Sequence, residues 1–452
     1  MDYPEISSGQ EPILADIRPF HGVHYNPSLI KDMARVLCPP YDVITPLMQQ
    51  ELYQRSDTNF VRIEYGRELP HDKEKDNKYT RASDTLEKWL KQGTLQIDDK
   101  PAIYLHDHHF IHQNKEYRCR SITCLVKLEE WDKMVIRPHE GTLSKAKSDR
   151  LSMLWTVQAN TSPILSLYED SGNTISSLLD TESGREPLLW AQYGTEETHN
   201  LWSIQDADAI NKICRSLAQQ PLYIADGHHR YESALTYQRE RRFGAPAEPV
   251  EEPYDFVMMT LVEFSDPGLL ILPAHRLVRG VSKSVLSGIM SGLETFFTVK
   301  QIPLDYSGIN DALNLMQVGN DDSIRLMVYG LTEDNITLLE LHDEATITRM
   351  MPGFHSEYNR KLDVSIVDHF ILEELMGLTP DSSGFYLSYT HDAEEAVKLV
   401  SSGEYQLAFL VNPVKPEMIK AIADSGDRMP KKSTYFYPKM PAGLVFYKFG
   451  AG

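Results

Sequence analysis

Cysteine is scarce in this chain: four in 452 residues, at Cys38, Cys119, Cys124 and Cys214. No two are spaced Cys-x-x-Cys, so neither a disulfide framework nor a cysteine-built zinc site is read here. Reduced, mostly buried thiols are expected instead. Long apolar runs are also missing; no stretch approaches the ~20 residues that span a bilayer. The opening Met1-Asp2-Tyr3-Pro4-Glu5 is acidic and polar rather than secretory, so the expectation is a cytoplasmic chain with no membrane partner. Positive charge is short as well: Lys and Arg number 45 against 65 Asp and Glu, a formal charge of −20. That balance disfavours nucleic acid as a partner, yet it is compatible with a nucleotide held in one local basic pocket. No internal repeat is found, and the only biased segment is a Pro- and Glu-rich stretch at 245–253, read as a loop able to serve as a lid.

What is there suits a large globular protein. Apolar residues make up 41% of the chain, and the length fits about two to three domains. A polar lead-in reaches to about residue 16. The tandem prolines of Leu37-Cys38-Pro39-Pro40-Tyr41-Asp42-Val43-Ile44 fix an extended loop. Residues 59–65 alternate like a strand, and 79–92 carry a helical stripe that stops at Gly93. Strands are expected at 102–105, 109–112 and 117–128, with a turn at Asn114. In a strand, neighbours point to opposite faces, so at most two histidines of His106-Asp107-His108-His109 converge; they are read as exposed hairpin residues rather than a metal site. From about residue 281 helices (282–297, 308–317, 364–376, 392–402, 415–425) alternate with strands (324–330, 336–341, 385–389, 406–411, 444–449), an α/β texture.

The most informative stretch is Leu222-Tyr223-Ile224-Ala225-Asp226-Gly227-His228-His229-Arg230. An apolar strand ends in Asp-Gly, and two histidines and an arginine open a helix. Gly227 can take positive φ and leaves room for a ligand. The first helical turn offers backbone N–H groups at the positive end of the dipole, so this corner suits a phosphate.

A second block, Arg137-Pro138-His139-Glu140-Gly141-Thr142 followed by Lys147, Asp149 and Arg150, crowds charged residues together. Glu140 beside His139 suits general-base work, while Lys147 and Arg150 suit phosphates. His275 and Arg276 end a short apolar run and are candidates to line the same pocket. The basic patch 428–436 is read as a solvated loop.

These motifs, with Ala159-Asn160-x-Ser162-Pro163-Ile164, Leu272-Pro273-Ala274-His275-Arg276 and Leu362-Asp363-Val364-Ser365, make the chain resemble the family filed as domain of unknown function 1015 over nearly its whole length. A narrower resemblance covers about 200–243, where helix, strand and Asp-Gly-His-His-Arg are similar to the ParB and sulfiredoxin superfamily. That group includes nucleotide-dependent switches and kinases of free serine. The resemblance implies a mixed α/β (α+β) fold, with a ParB/sulfiredoxin-like nucleotide-binding core at 131–280 between an N-terminal α+β region, 1–130, and a C-terminal α/β region, 281–452. It implies a kinase passing a phosphoryl group from ATP or ADP, with Mg²⁺, to a small-molecule hydroxyl such as that of free L-serine; the alternative is a nucleotide switch or regulatory module without turnover. In the kinase reading Asp226, Gly227, His228, His229, Arg230 and Lys147 hold the nucleotide, and Asp226 also holds the metal. Glu140 is the base with Asp149 in reserve, and Arg150, Arg276 and His139 hold the substrate. A homo-oligomer is left open.

Overall fold

The computed structural model describes residues 15–142, 144–244, 250–304, 308–317, 323–332, 335–378 and 383–451. The lead-in up to residue 14 and residues 245–249 of the expected lid loop lie outside the described residues. The chain is mixed α/β and divides into two compact units. One comprises Met1–Pro138, Thr142–Leu270 and Pro438–Gly452; the other comprises His139–Gly141 and Ile271–Tyr437. Among the described residues no helix is long and apolar enough to cross a membrane.

The first unit is built on a nine-stranded sheet. Its order is Ile136–Pro138, Leu222–Asp226, Ile164–Tyr168, Phe256–Glu263, Lys115–Lys127, Ile103–His112, Glu197–Ile204 and Leu189–Tyr193, with Ile17–Arg18 also on Lys115–Lys127. Two pairs are parallel, Leu222–Asp226 with Ile136–Pro138 and Phe256–Glu263 with Ile164–Tyr168; the other pairs are antiparallel. The central hairpin turns at Gln113 and Asn114, both at positive φ, the geometry a two-residue connection needs. Both faces of the sheet are covered. Tyr104, Leu125, Leu201 and Met258 join one core with Phe60, Trp89 and Phe446, while Leu105, Ile122, Val257 and Met259 join the other with Tyr231 and Leu235. Double coverage explains why Phe256–Val262 is apolar at every position but Thr260 rather than alternating.

Three local expectations change here. Residues 59–65 form no strand; Val61–Glu64 is a helical turn. The Asn59 side chain accepts the Val61 N–H (3.0 Å) and donates to the carbonyls of Arg35 and Leu37, so an Asx turn starts the helix. Second, the expected strands at 102–105 and 109–112 are one strand, Ile103–His112, and His106, Asp107 and His108 are buried in it. Burial pushes the His106 imidazole well below its usual range, and it pulls His108 down to about 4 against the influence of Glu197. Residues 444–449 shrink to the two-residue strand Tyr447–Lys448, paired with Ala159–Asn160.

The second unit carries a six-stranded antiparallel sheet, in the order Phe297–Pro303, Asn335–Leu341, Arg325–Tyr329, Leu407–Leu410, His275–Val278 and Leu387–Thr390. Its helices include Lys283–Phe296, capped by Ser282, and Ala393–Ser401, capped by Asp392.

One consequence can be measured. His275 is 1% exposed and accepts the Val411 N–H at Nδ1 (3.2 Å). Burial, with Arg276 alongside, holds the ring down at about 3. A folded value below the unfolded one means that acid protonates the unfolded chain first. This contribution is intact above ~6.5 and erodes by about 1.4 kcal/mol per pH unit as pH falls toward 3. Urea midpoints of wild type and His275→Gln between pH 7 and 4 should show a shallower acid loss in the variant; parallel curves would count against the assignment.

Candidate functional site

In the first unit, Leu222–Asp226 runs between Ile136–Pro138 and Ile164–Tyr168 and feeds the helix His228–Arg242. Gly227 caps that helix at φ 94° and brings no side-chain acceptor to its first turn. A Cβ added there would lie 3.0 Å from Arg230 Nε, so the corner is both left-handed and tight. Asp226 accepts the Gly227 N–H (2.9 Å) and faces two cations, Lys439 Nζ at 3.1 Å and Arg230 Nη2 at 3.6 Å. Arg230 donates Nη1 to the Pro163 carbonyl; its Nε is buried without a hydrogen-bond partner. His228 is buried and His229 half-buried.

The second cationic element is the helix Ser144–Val157. Arg150, Met153, Leu154 and Val157 are buried at helical spacing, so an arginine sits on the apolar face. That guanidinium donates Nε and Nη2 to one oxygen of Asp149, Oδ2 (2.9 and 2.6 Å), and lies 3.5 Å from Glu64. It also stacks 3.9 Å over the Tyr41 ring. Asp149 also pairs with Lys78 Nζ (2.7 Å) and accepts from Tyr79 Oη (2.8 Å). Burial alone would raise the Asp149 carboxyl, but Arg150 and Lys78 outweigh it and hold it down at about 2. Lys147 pairs with Glu232 (3.0 Å) of the helix His228–Arg242, and Thr142 donates to the same carboxylate (2.7 Å).

Glu64 joins these pieces. Fully buried, it accepts from Thr161 Oγ1, from Ser162 Oγ (2.9 Å) and from the Tyr41 N–H (3.3 Å). Four motifs that are far apart in sequence therefore meet, those of Tyr41, Asp149-Arg150, Asn160-Thr161-Ser162 and Arg230. Arg150, Asn160, Thr161, Ser162 and Arg230 line one small cavity of ≈ 30 Å³, room for a water or two. A larger open cleft of ≈ 810 Å³ is lined by Tyr53, Arg62, Arg67, Lys78 and Arg81, and Lys78 belongs to both cleft and cluster. Glu64, Lys78 and Lys439 carried no sequence signal of a role here; each acts through a partner far along the chain.

The remaining sequence candidates lie in the second unit. Glu140 accepts from the backbone N–H groups of Lys432 (3.1 Å), Ser433 (3.0 Å) and Thr434 (3.0 Å) and from Thr434 Oγ1 (2.9 Å). The patch read as a solvated loop thus wraps this carboxylate. His139 is buried, with Nε2 3.0 Å from Thr434 Oγ1. Arg276 is fully buried and spends its guanidinium on Asp368 and on the Ala274 and Lys432 carbonyls. Gly141, Asp368, Glu373, Tyr389, Arg428 and Lys431 are among the residues lining a cavity of ≈ 310 Å³ in this unit.

No curated protein matches the chain. Solved structures with a remote likeness include a conserved hypothetical protein from Pyrococcus furiosus, at 13% identity, TM-score 0.35, covering 72% of this chain and 95% of that one. A free serine kinase in complex with AMP aligns at 13% identity and TM-score 0.35, covering 71% and 92%. SbnI with a C-terminal truncation, from Staphylococcus aureus, aligns at 13% identity and TM-score 0.36, covering 72% and 87%. In sequence, the family model described as protein of unknown function (DUF1015) matches residues 17–365, which carry most of the motifs gathered above; the chain belongs to that family.

Proposed function

We propose that the protein is a nucleotide-dependent kinase acting on a small-molecule hydroxyl, with the nucleotide phosphates held at the Gly227 corner. The observation that carries this reading is the buried, unpartnered Nε of Arg230 beside a left-handed glycine at a helix N-terminus. A buried guanidinium N–H without a protein acceptor can take one from a ligand, and a phosphate oxygen fits both it and the helix dipole. In this reading Arg230, Lys439 and Lys147 neutralise phosphate charge while His228 and His229 border it, and Asp226 orients Arg230 and Lys439.

Mg²⁺ at Asp226 fits less well. One carboxylate oxygen already takes the Gly227 N–H and the other faces two cations, whereas Mg²⁺ wants a set of oxygens. No step is assigned to a metal held there.

Phosphoryl transfer asks the protein for positioning and charge neutralisation more than for covalent chemistry. An acceptor hydroxyl must lose its proton to a base. Asp149, held at about 2, is too weak a base near neutrality and serves better to position Arg150 and Lys78. Glu140 remains the candidate base, since its Oε2 takes a single backbone donor. The acceptor class we favour is a free amino acid with a hydroxyl, such as L-serine, on the resemblance of the Asp226-Gly227-His228-His229-Arg230 stretch to kinases of free serine.

The test is direct. Incubation with ATP or ADP, Mg²⁺ and L-serine should yield O-phosphoserine by mass spectrometry. Glu140→Gln should lose at least 100-fold in turnover with nucleotide affinity nearly unchanged. Absence of any nucleotide binding would end the proposal; binding or hydrolysis that ignores every hydroxyl acceptor would favour a regulatory switch.

A further inference from the structure

The burial of His106 and His108 leaves a cluster outside the site described above. His106 and His108 stand two residues apart on the strand Ile103–His112 and so share a face. On the neighbouring strand, Glu197–Ile204, His199 lies directly opposite His108, and Glu197, two residues away, is on the same face. His108 Nε2 lies 2.8 Å and His199 Nε2 3.1 Å from one oxygen, Oε1 of Glu197. His199 turns its other nitrogen, Nδ1, to His106 Nε2 at 3.1 Å. His106, His108 and His199 are at most 3% exposed, and the Glu197 side chain is 41% exposed. Among the described residues this is the one group of three whose ligand atoms all lie within 4.8 Å of one another.

We propose that His108 Nε2, His199 Nε2 and the Glu197 carboxylate form a site for a divalent transition ion, with Zn²⁺ the best match. Two imidazoles and one carboxylate are a borderline donor set, suited to Zn²⁺ and its neighbours rather than to Mg²⁺ or Ca²⁺. An ion about 2.0–2.1 Å from each donor needs them roughly 3.3 Å apart, so the two histidine–carboxylate distances, 2.8 and 3.1 Å, must open by only a few tenths of an ångström. The imidazoles are fixed by strand register, whereas the half-exposed Glu197 is the ligand able to adjust. Three protein ligands leave the fourth position to water on the solvent side.

The cluster also carries its outer support. With the ion on His199 Nε2, the ring must keep its proton on Nδ1, and His106 Nε2 is placed to accept it. His106 is thus a positioning residue. His109, which follows His108 on the strand, points to the opposite face and takes no part.

The experiment uses the full chain, stripped with a chelator and titrated calorimetrically with Zn²⁺ alone, then with Co²⁺ alone while visible absorption is followed. One equivalent of Zn²⁺ is expected to bind, to raise the melting temperature, and to be replaced by Co²⁺ with the visible bands of a nitrogen- and oxygen-ligated low-coordinate ion. Glu197→Gln, a change at a half-exposed carboxylate that leaves the core intact, should weaken Zn²⁺ binding by at least 100-fold, and His199→Asn should do the same. His106→Gln should cost about 10–100-fold, and His109→Ala should change nothing. No stoichiometric binding in the wild type, or full affinity in both Glu197→Gln and His199→Asn, would overturn the proposal.

Discussion

Glu64→Leu should destabilise the first unit by about 3–5 kcal/mol, because it strands a buried cation. Arg150 is 5% exposed and Glu64 is 0% exposed, and the two lie 3.5 Å apart. Removing Glu64 leaves Asp149 as the one carboxylate on Arg150, beside the residue-64 carbonyl (3.4 Å) and the Tyr41 ring, while Lys78 also draws on that carboxylate. The hydroxyls of Thr161 and Ser162 and the Tyr41 N–H lose their acceptor at the same time, each an uncompensated buried donor. The double variant Glu64→Leu/Arg150→Met should recover only the share of the loss that comes from the guanidinium, since the donors of Thr161, Ser162 and Tyr41 stay without Glu64 and Asp149 keeps Lys78 but loses Arg150. Urea denaturation of the single and double variants reads both effects. A single variant within 1 kcal/mol of wild type would show that this network does not hold the motifs together. A functional readout separates stability from positioning: if the cluster shapes the nucleotide site, nucleotide affinity should stay low in the double variant even where stability returns.

Local signals in the sequence went far. The helix at 79–92 is found as Lys78–Lys91, started by an Asn77 capping box, and those expected at 282–297, 392–402 and 415–425 lie within two residues of their observed bounds. The strand-to-helix corner at Asp226-Gly227 was legible because only glycine tolerates that turn cheaply. Two kinds of information were not local. A seven-residue alternation at 59–65 could not compete with the Asn59 side chain, whose hydrogen bonds to carbonyls 22 and 24 residues away set the turn. Nor could His106 and His108 be read as buried until the strand Glu197–Ile204, some 90 residues on, was laid beside them. Convergence is the harder problem. Thr161 reaches Glu64 across 97 residues and Lys439 reaches Asp226 across 213, so each motif was visible alone and its partner was not. Arg150 and Arg276, with donors that suit a substrate carboxylate, are instead spent on protein carboxylates, because a cation on an apolar helix face or an inner strand must be answered where it is buried.

Gly227→Ala should weaken ATP affinity by at least 10-fold and cost about 1–2 kcal/mol of stability, the larger of the expected effects on the nucleotide site. Two physical terms act at this position. At φ 94° any L-residue is strained, and a Cβ meets the Arg230 guanidinium at 3.0–3.3 Å. Moving that guanidinium would displace the very Nε whose missing partner marks the phosphate position. Gly227→Asn separates the two terms, since asparagine enters the left-handed region more readily than alanine but carries the same Cβ. If conformational strain alone matters, Asn should restore both stability and binding. If close approach of Arg230 to the ligand matters, Asn should restore stability while ATP affinity stays low, and Arg230→Ala should reproduce the binding defect without the strain. Calorimetric titration of the three variants with ATP, beside their urea midpoints, distinguishes these outcomes. ATP bound by Gly227→Ala as tightly as by wild type would remove the corner from the nucleotide site, and the phosphate reading of the Asp-Gly-His-His-Arg motif would go with it.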